Sequence, residues 1–247
     1  IMARRMSLEG AKVLGVAEIM PYSNGLNRNI VQCLNDYNIP LYLSCTVKEI
    51  IGKDRLEKII LCNVDENLKK IEGTERVIEC DTLLLSVGLV PYNPLLDNLN
   101  VKMHPRTKGP IVNECYQTSI PSIFACGNSL HVHDIVDYVS LEGKNAGYFA
   151  SKYLKGELHS GKNVDVVAGD GIGYVLPTKI NLSNIEKVNI YFRCRSPHKT
   201  CVVTLKSNDI IKTWKKSYLI PSEMEHITFD KTLIENVDEI KVEVKDA

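Results

Sequence analysis

The chain has 247 residues, with 30 Lys plus Arg against 30 Asp plus Glu, so its formal net charge is zero. A neutral balance argues against nucleic-acid and polybasic membrane binding, which rest on clustered positive charge. No apolar run approaches the ~20 residues of a membrane-spanning helix. The eight cysteines, at 33, 45, 62, 80, 115, 126, 194 and 201, include no Cys-x-x-Cys pair. They read as reduced residues of a cytoplasmic protein rather than a zinc ribbon or a dithiol centre.

The chain opens on "IMARRMSLEG", apolar at 2, 3 and 6 with a glycine stop: a helix already under way, with no capping residue ahead of it. Ile1 is no initiator, and the stretch lacks the apolar centre of a signal peptide, so the chain reads as a C-terminal piece of something longer. "AKVLGVAEIM" (11–20) is expected as a strand, its apolar run lacking alternation as in a parallel sheet covered on both faces. "GLNRNIVQCLNDYN" places apolar residues at 26, 30, 31 and 34, an amphipathic helix. "IPLYLSCTVKEIIG" (39–52) predicts another strand and "RLEKIILCNVDENLKKIEGTERVIEC" (55–80) a hairpin or meander. "DTLLLSVGLVP" (81–91) reads as a buried strand ending in glycine and proline. This order is that of a nucleotide-binding α/β domain.

From Val101 the pattern changes. Residues 103–128 hold short strands between turns, the last being "SIFACGN", a buried strand ending in a tight glycine turn. "DIVDYVSLEGKNAGYFASKYLKG" (134–156) predicts a helix, and "KGELHSGKN" (155–163) a linker. Beyond it, "VDVVAG", "GYVLPTKI", "KVNIYFRCR", "TCVVTLKS", "DIIKTWKKSYL", "HITFD" and "EIKVEVKD" are Val/Ile/Thr-rich strands with turns between them, spaced as in a small all-β sandwich or barrel.

In a dinucleotide fold the second strand ends at an acidic residue that takes the adenosine ribose hydroxyls. "KVLGVAE" puts Glu18 there. A carboxylate favours NAD because it repels the 2′-phosphate of NADP; the alternative is a surface glutamate at a strand end.

Two further segments carry a family resemblance. "ECDTLLLSVGLVPYNPLL", which contains Gly88, resembles the Asp-x-hydrophobic-x-x-(Ala/Ser)-x-Gly-x-x-Pro-Asn segment of the pyridine nucleotide-disulfide oxidoreductase superfamily, the two-dinucleotide-domain flavoproteins. "TSIPSIFACGN" is similar to their second flavin motif, Thr-x-x-Pro-x-(Ile/Val)-(Phe/Tyr)-Ala-x-Gly-Asp. The resemblance covers about residues 1–158. It implies an α/β protein in three parts: a partial, N-terminally truncated Rossmann-like NAD-binding domain over 1–101, the returning segment of an FAD-binding domain over 102–161, and a small all-β, sandwich-like domain over 162–247. It further implies FAD and NAD as cofactors, with hydride passing from NADH to FAD and on to an acceptor the sequence does not name.

By that resemblance Gly127 and Asn128 lie beneath the flavin. Asn128 stands where the family has an acid, keeping an acceptor for the ribityl hydroxyls without the charge. The N–H groups of Asp137, Tyr138 and Val139, opening the next helix, face the flavin O2 edge. "GNSLHVHDIVDYVSLEG" is similar to bacterial FAD-dependent NAD(P) oxidoreductases related to sarcosine oxidase α-subunits. The His-Pro-Thr segment of the disulfide reductases is absent, which puts disulfide reduction in doubt. An NADH oxidase or ferredoxin-type reductase is the neighbouring alternative. A reading from another class is a non-catalytic module whose β domain docks a partner oxidoreductase subunit. The glycine turn for the FAD pyrophosphate would lie upstream of Ile1, so these residues alone are expected not to hold FAD.

His131, His133 and Asp134 look at first like metal ligands. No third partner stands at a sensible spacing, however, and alternate residues of a tight loop are expected to diverge, so no metal site is expected. The two histidines are left as structural loop residues or as proton donors or substrate contacts near the flavin. Cys126 is expected to be a packed thiol rather than a redox centre.

Overall fold

The computed structural model describes residues 1–23 and 25–247 and divides into two compact units, Ile1–Val87 and Gly88–Ala247. The first unit opens with α1 (Met2–Leu8), ended by Gly10 at φ +92°, a left-handed turn that glycine adopts without a Cβ penalty. β1 (Val16–Ala17) pairs in parallel with β2 (Leu41–Tyr42), and α2 (Asn27–Cys33) lies between them in sequence. This is the strand–helix–strand crossover read from the sequence, but the first strand is two residues long rather than ten. β3 (Cys45–Ile51), β4 (Lys58–Asn63) and β5 (Arg76–Glu79) form the antiparallel meander, around Cys45, Ile59 and Leu61.

Two strands expected from apolar runs do not form. Residues 81–91 have no strand and no pairing partner: Leu84, Leu85, Val87, Leu89 and Val90 are exposed, Val87 to 91%. An apolar run reports a wish for burial, and here no neighbouring backbone meets it. "SIFACGN" forms a single bridge, Phe124 to Gln117, before entering a short 3-10 turn at Gly127–Ser129. Its burial comes from loop packing, with Ala125 N–H donating to the Tyr116 carbonyl at 3.0 Å.

The second unit carries the long helix α3 (Val136–Leu154) and then eight strands: β6 (Asn163–Ala168), β7 (Ile172–Leu176), β8 (Lys179–Asn181), β9 (Lys187–Cys194), β10 (His198–Lys206), β11 (Ile210–Leu219), β12 (Glu225–Asp230) and β13 (Glu239–Asp246). They make a five-stranded sheet, β11-β10-β13-β6-β8, and a three-stranded sheet, β12-β9-β7. Strand alternation decides which side chains face inward. Val188, Ile190 and Phe192 of β9 meet Val203 and Leu205 of β10 and Ile240 and Val242 of β13 in one core. Each such side chain contributes about 1.5–3 kcal/mol by leaving water.

β7 presents two further side chains to a separate cluster. Tyr174 and Leu176 pack with Val112, Ala125 and Leu130. Glu114 also accepts from Asn181 N–H at 2.8 Å. Residues before and after the 155–163 connection therefore share packing. Residues 162–247 produced alone should still form both sheets, but melt roughly 10 °C below residues 88–247 because Tyr174 and Leu176 become exposed. Calorimetry of the two shortened chains checks this, and equal melting temperatures would show that the shared cluster contributes nothing.

Candidate functional site

The segment from Gly127 to Glu142 is positioned by backbone geometry first. Gly127 has φ +64°, and a Cβ there would sit 3.2 Å from Val139 Cγ1. Its carbonyl accepts from the N–H groups of Leu130 and His131 at 2.9 and 3.1 Å, closing a tight turn. Gly109 packs flat on that turn: a Cβ there would fall 1.8 Å from the Leu130 carbonyl oxygen, so only glycine fits. Leu130 is driven into the Val112–Tyr174–Leu176 cluster, and this sets His131 on the inner side of the loop.

His131 and His133, expected to diverge, converge instead. His131 Nε2 lies 2.9 Å from Glu142 Oε1, and His133 Nε2 lies 3.0 Å from Glu142 Oε2. Their ring centroids are 4.3 Å apart. The reason is the turn closed by Gly127, which brings the loop back across α3 to the one residue that serves both rings. His131 and Glu142 are 1% and 2% exposed, and the side chain of His133 is 1% exposed. Glu142 Oε2 also accepts the Gly127 N–H at 2.7 Å, so a single carboxylate gathers the start, middle and end of the loop.

Tyr174 and Arg193 complete the arrangement from the β strands. Arg193 Nε–H donates to Tyr174 Oη at 3.2 Å, and Tyr174 Oη lies 3.1 Å from His131 Nδ1. With the phenol oxygen already accepting from Arg193, its proton points to Nδ1, which leaves His131 Nε2–H to donate to Glu142. Arg193 Nη2 also donates to the Val132 carbonyl at 3.1 Å and to Asp134 Oδ1 at 2.9 Å, while Nη1 donates to the Pro221 carbonyl at 3.0 Å. Asp134 therefore faces the β strands, not the histidines.

Burial on its own would raise the Glu142 pKa, but the hydrogen bonds from His131 and His133 outweigh it and hold the carboxyl at about 2. Burial lowers the pKa of His131, keeping it neutral. Burial raises the Cys126 thiol, as suits a packed rather than a redox cysteine.

The remaining sequence-derived residues fall as follows. Asn128 is exposed, and its Oδ1 accepts the His133 N–H at 3.1 Å. α3 begins at Val136, two residues after Asp134, where the sequence predicts its start. Its N-cap, Ile135, supplies no side-chain cap, and Val136 is exposed. Tyr138 stacks on His133, with centroids 6.5 Å apart, and stands edge-on to Tyr191 and His226. Glu18 follows the last residue of β1, and its Oε1 accepts the Met20 N–H at 3.0 Å. Gly88 has φ +104° in the exposed 81–91 stretch. Glu142, Tyr174 and Arg193 were not singled out from the sequence. A lone glutamate in a helix and a tyrosine and arginine in distant strands carry no local signal.

The left-handed Gly127, the exposed Asn128 and the uncapped N-terminus of α3 are a fit for the polar edge of a flavin, which needs amide donors and a close backbone approach. No Gly-x-Gly-x-x-Gly turn occurs within the 247 residues.

Residues 10–141, more than half of the chain, match the family model described as pyridine nucleotide-disulphide oxidoreductase. The mitochondrial dihydrolipoyl dehydrogenase of Caenorhabditis elegans is 47% identical over 58 residues, 23% of this chain and 12% of that protein. The NADH oxidase of Streptococcus pyogenes serotype M6 is 29% identical over 113 residues, 46% of this chain and 22% of that protein. The matched part thus spans less than a quarter of the length of either relative. Thioredoxin reductase from Streptococcus pyogenes MGAS5005 aligns with a TM-score of 0.35 and 19% identity, over 62% of this chain and 48% of that one.

Proposed function

Because the chain belongs to the pyridine nucleotide-disulphide oxidoreductase family, we propose that it provides the NAD-binding part and a flavin-facing part of an FAD-dependent NAD(P)H oxidoreductase. Residues 1–101 serve the nicotinamide nucleotide, 102–161 the flavin, and 162–247 form the β domain behind it. The observation that carries this reading is the join of the left-handed Gly127 and exposed Asn128 to the uncapped α3 within the matched region. FAD, when bound, supplies acceptance of the NADH hydride and onward delivery of electrons to an acceptor.

The chain's own residues bind and orient. Asn128 meets the ribityl hydroxyls through its exposed amide. The free N–H groups at Asp137 and Tyr138 favour negative charge at the flavin's O2 edge through the helix dipole, whereas the Val139 N–H falls within the first turn of α3. Glu18 receives the adenosine ribose hydroxyls and repels a 2′-phosphate. Glu142 keeps the loop closed by holding Gly127, His131 and His133 at once. The segment "GNSLHVHDIVDYVSLEG" is similar to bacterial NAD(P)/FAD oxidoreductases related to sarcosine oxidase α-subunits, which supports reading the chain as part of such an enzyme.

An FAD-loaded enzyme that contains this chain should reduce its flavin with a higher kcat/KM for NADH than for NADPH. Glu18→Ala should narrow that ratio by about tenfold, equivalent to ~1.4 kcal/mol of differential binding. Stopped-flow flavin reduction with each nucleotide tests it, and a wild-type preference for NADPH would remove Glu18 from the ribose site.

A further inference from the structure

We propose that His131, His133 and Glu142 form a binding site for a divalent metal ion of the zinc class, with an open coordination position toward the neighbouring cavity. The nitrogen and oxygen donors of the three side chains all lie within 4.8 Å of one another. Two imidazoles and a carboxylate are a donor set that zinc accepts with a water or another ligand in the fourth place.

The distances already approach what such an ion requires. Zinc holds nitrogen and oxygen at about 2.0–2.2 Å, so tetrahedral ligands stand about 3.3–3.5 Å apart. The two N···O separations are 2.9 and 3.0 Å, so each need open by only a few tenths of an ångström. The parts that orient ligands are also in place. Tyr174 Oη fixes the far nitrogen of His131, and the Gly127 N–H fixes Glu142 Oε2. Such partners commonly set ring orientation and ligand basicity.

One observation favours a ligand over a closed set of hydrogen bonds. Glu142 lies on the wall of a cavity of about 250 Å³, shared with Leu130, Tyr116, Asn145 and Tyr191. That cavity gives a route of entry and room for a water at the open position. On binding, the ligating imidazoles carry their protons on Nδ1 instead of Nε2; at His131 the Tyr174 O–H proton turns away from the ring so that Oη accepts from Nδ1–H.

The test uses the tag-free full chain, stripped with a chelator and titrated with Zn²⁺ by calorimetry, with Co²⁺ as the spectroscopic probe. One equivalent should bind, raise the melting temperature and give the ligand-field absorption of cobalt in a low-coordinate nitrogen–oxygen site. His131→Asn and His133→Asn should each weaken binding by about a hundredfold or more, whereas His198→Asn, outside the cluster, should leave it unchanged. Should His131→Asn fail to fold, His133→Asn with a native circular-dichroism spectrum decides the matter. An absence of saturable uptake, or one-equivalent uptake that survives the loss of His133, overturns the proposal.

Discussion

Glu142→Gln should destabilise the metal-free protein by about 3–5 kcal/mol, the scale seen when one member of a buried charged network is removed. The carboxylate accepts from Gly127 N–H, His131 Nε2 and His133 Nε2, and the amide offers one oxygen where there were two. Its NH2 group would then face either an imidazole N–H or the Gly127 N–H, so at least one buried donor loses its acceptor. For a unit of this size the melting temperature should fall by roughly 10 °C. Differential scanning calorimetry measures it, and a shift within about 2 °C, typical of a surface substitution, would mean the carboxylate is not the closure of the loop. The exposed Glu157→Gln is the matched control.

The second large effect should come from Arg193→Met, which keeps most of the stem and removes the guanidinium. Four hydrogen bonds go with it, to Tyr174, Pro221, Val132 and Asp134. Asp134, with a side chain only 14% exposed, loses its ion-pair partner. A loss of about 2–4 kcal/mol is expected, larger than for an exposed pair because both groups are largely withdrawn from water. Asp134→Asn in the Arg193→Met background should then cost less than Asp134→Asn alone, since the charge it removes is already unpaired. Additive losses in this double-mutant cycle would show that the two side chains act independently.

Much of the β-strand order was legible because alternation has a direct physical meaning. In β9, the inward Val188, Ile190 and Phe192 alternate with the outward Lys187 and Asn189 before the strand closes over both faces at Tyr191. α3 was legible for a similar reason, since its long run lacks any proline and ends at Gly156. Hydrophobicity without alternation misled. "TLLLSVG" looks like the most buried strand of the chain, yet of its large apolar side chains only Leu83 packs on the Cys45–Ile59–Leu61 cluster, while Leu84, Leu85 and Val87 are exposed because burial depends on a partner the local sequence does not describe. The site divided along the same line. Gly127, Asn128 and the two histidines were visible as a local cluster of unusual residues. Their convergence was not, because it is set by Glu142 eleven residues on from His131 and by Tyr174 and Arg193 in separate strands.

The exposed run from Leu84 to Val90 has a colloidal consequence. Suspended copies are held apart by like charge acting through their ion atmospheres, and this chain has a formal net charge of zero at pH 7. At neutral pH no long-range repulsion opposes the attraction between such oily stretches, and added salt has little net charge to screen. Moving the pH to either side of neutrality restores a common charge, so dispersion of the chain in water is governed more by proton activity than by ionic strength.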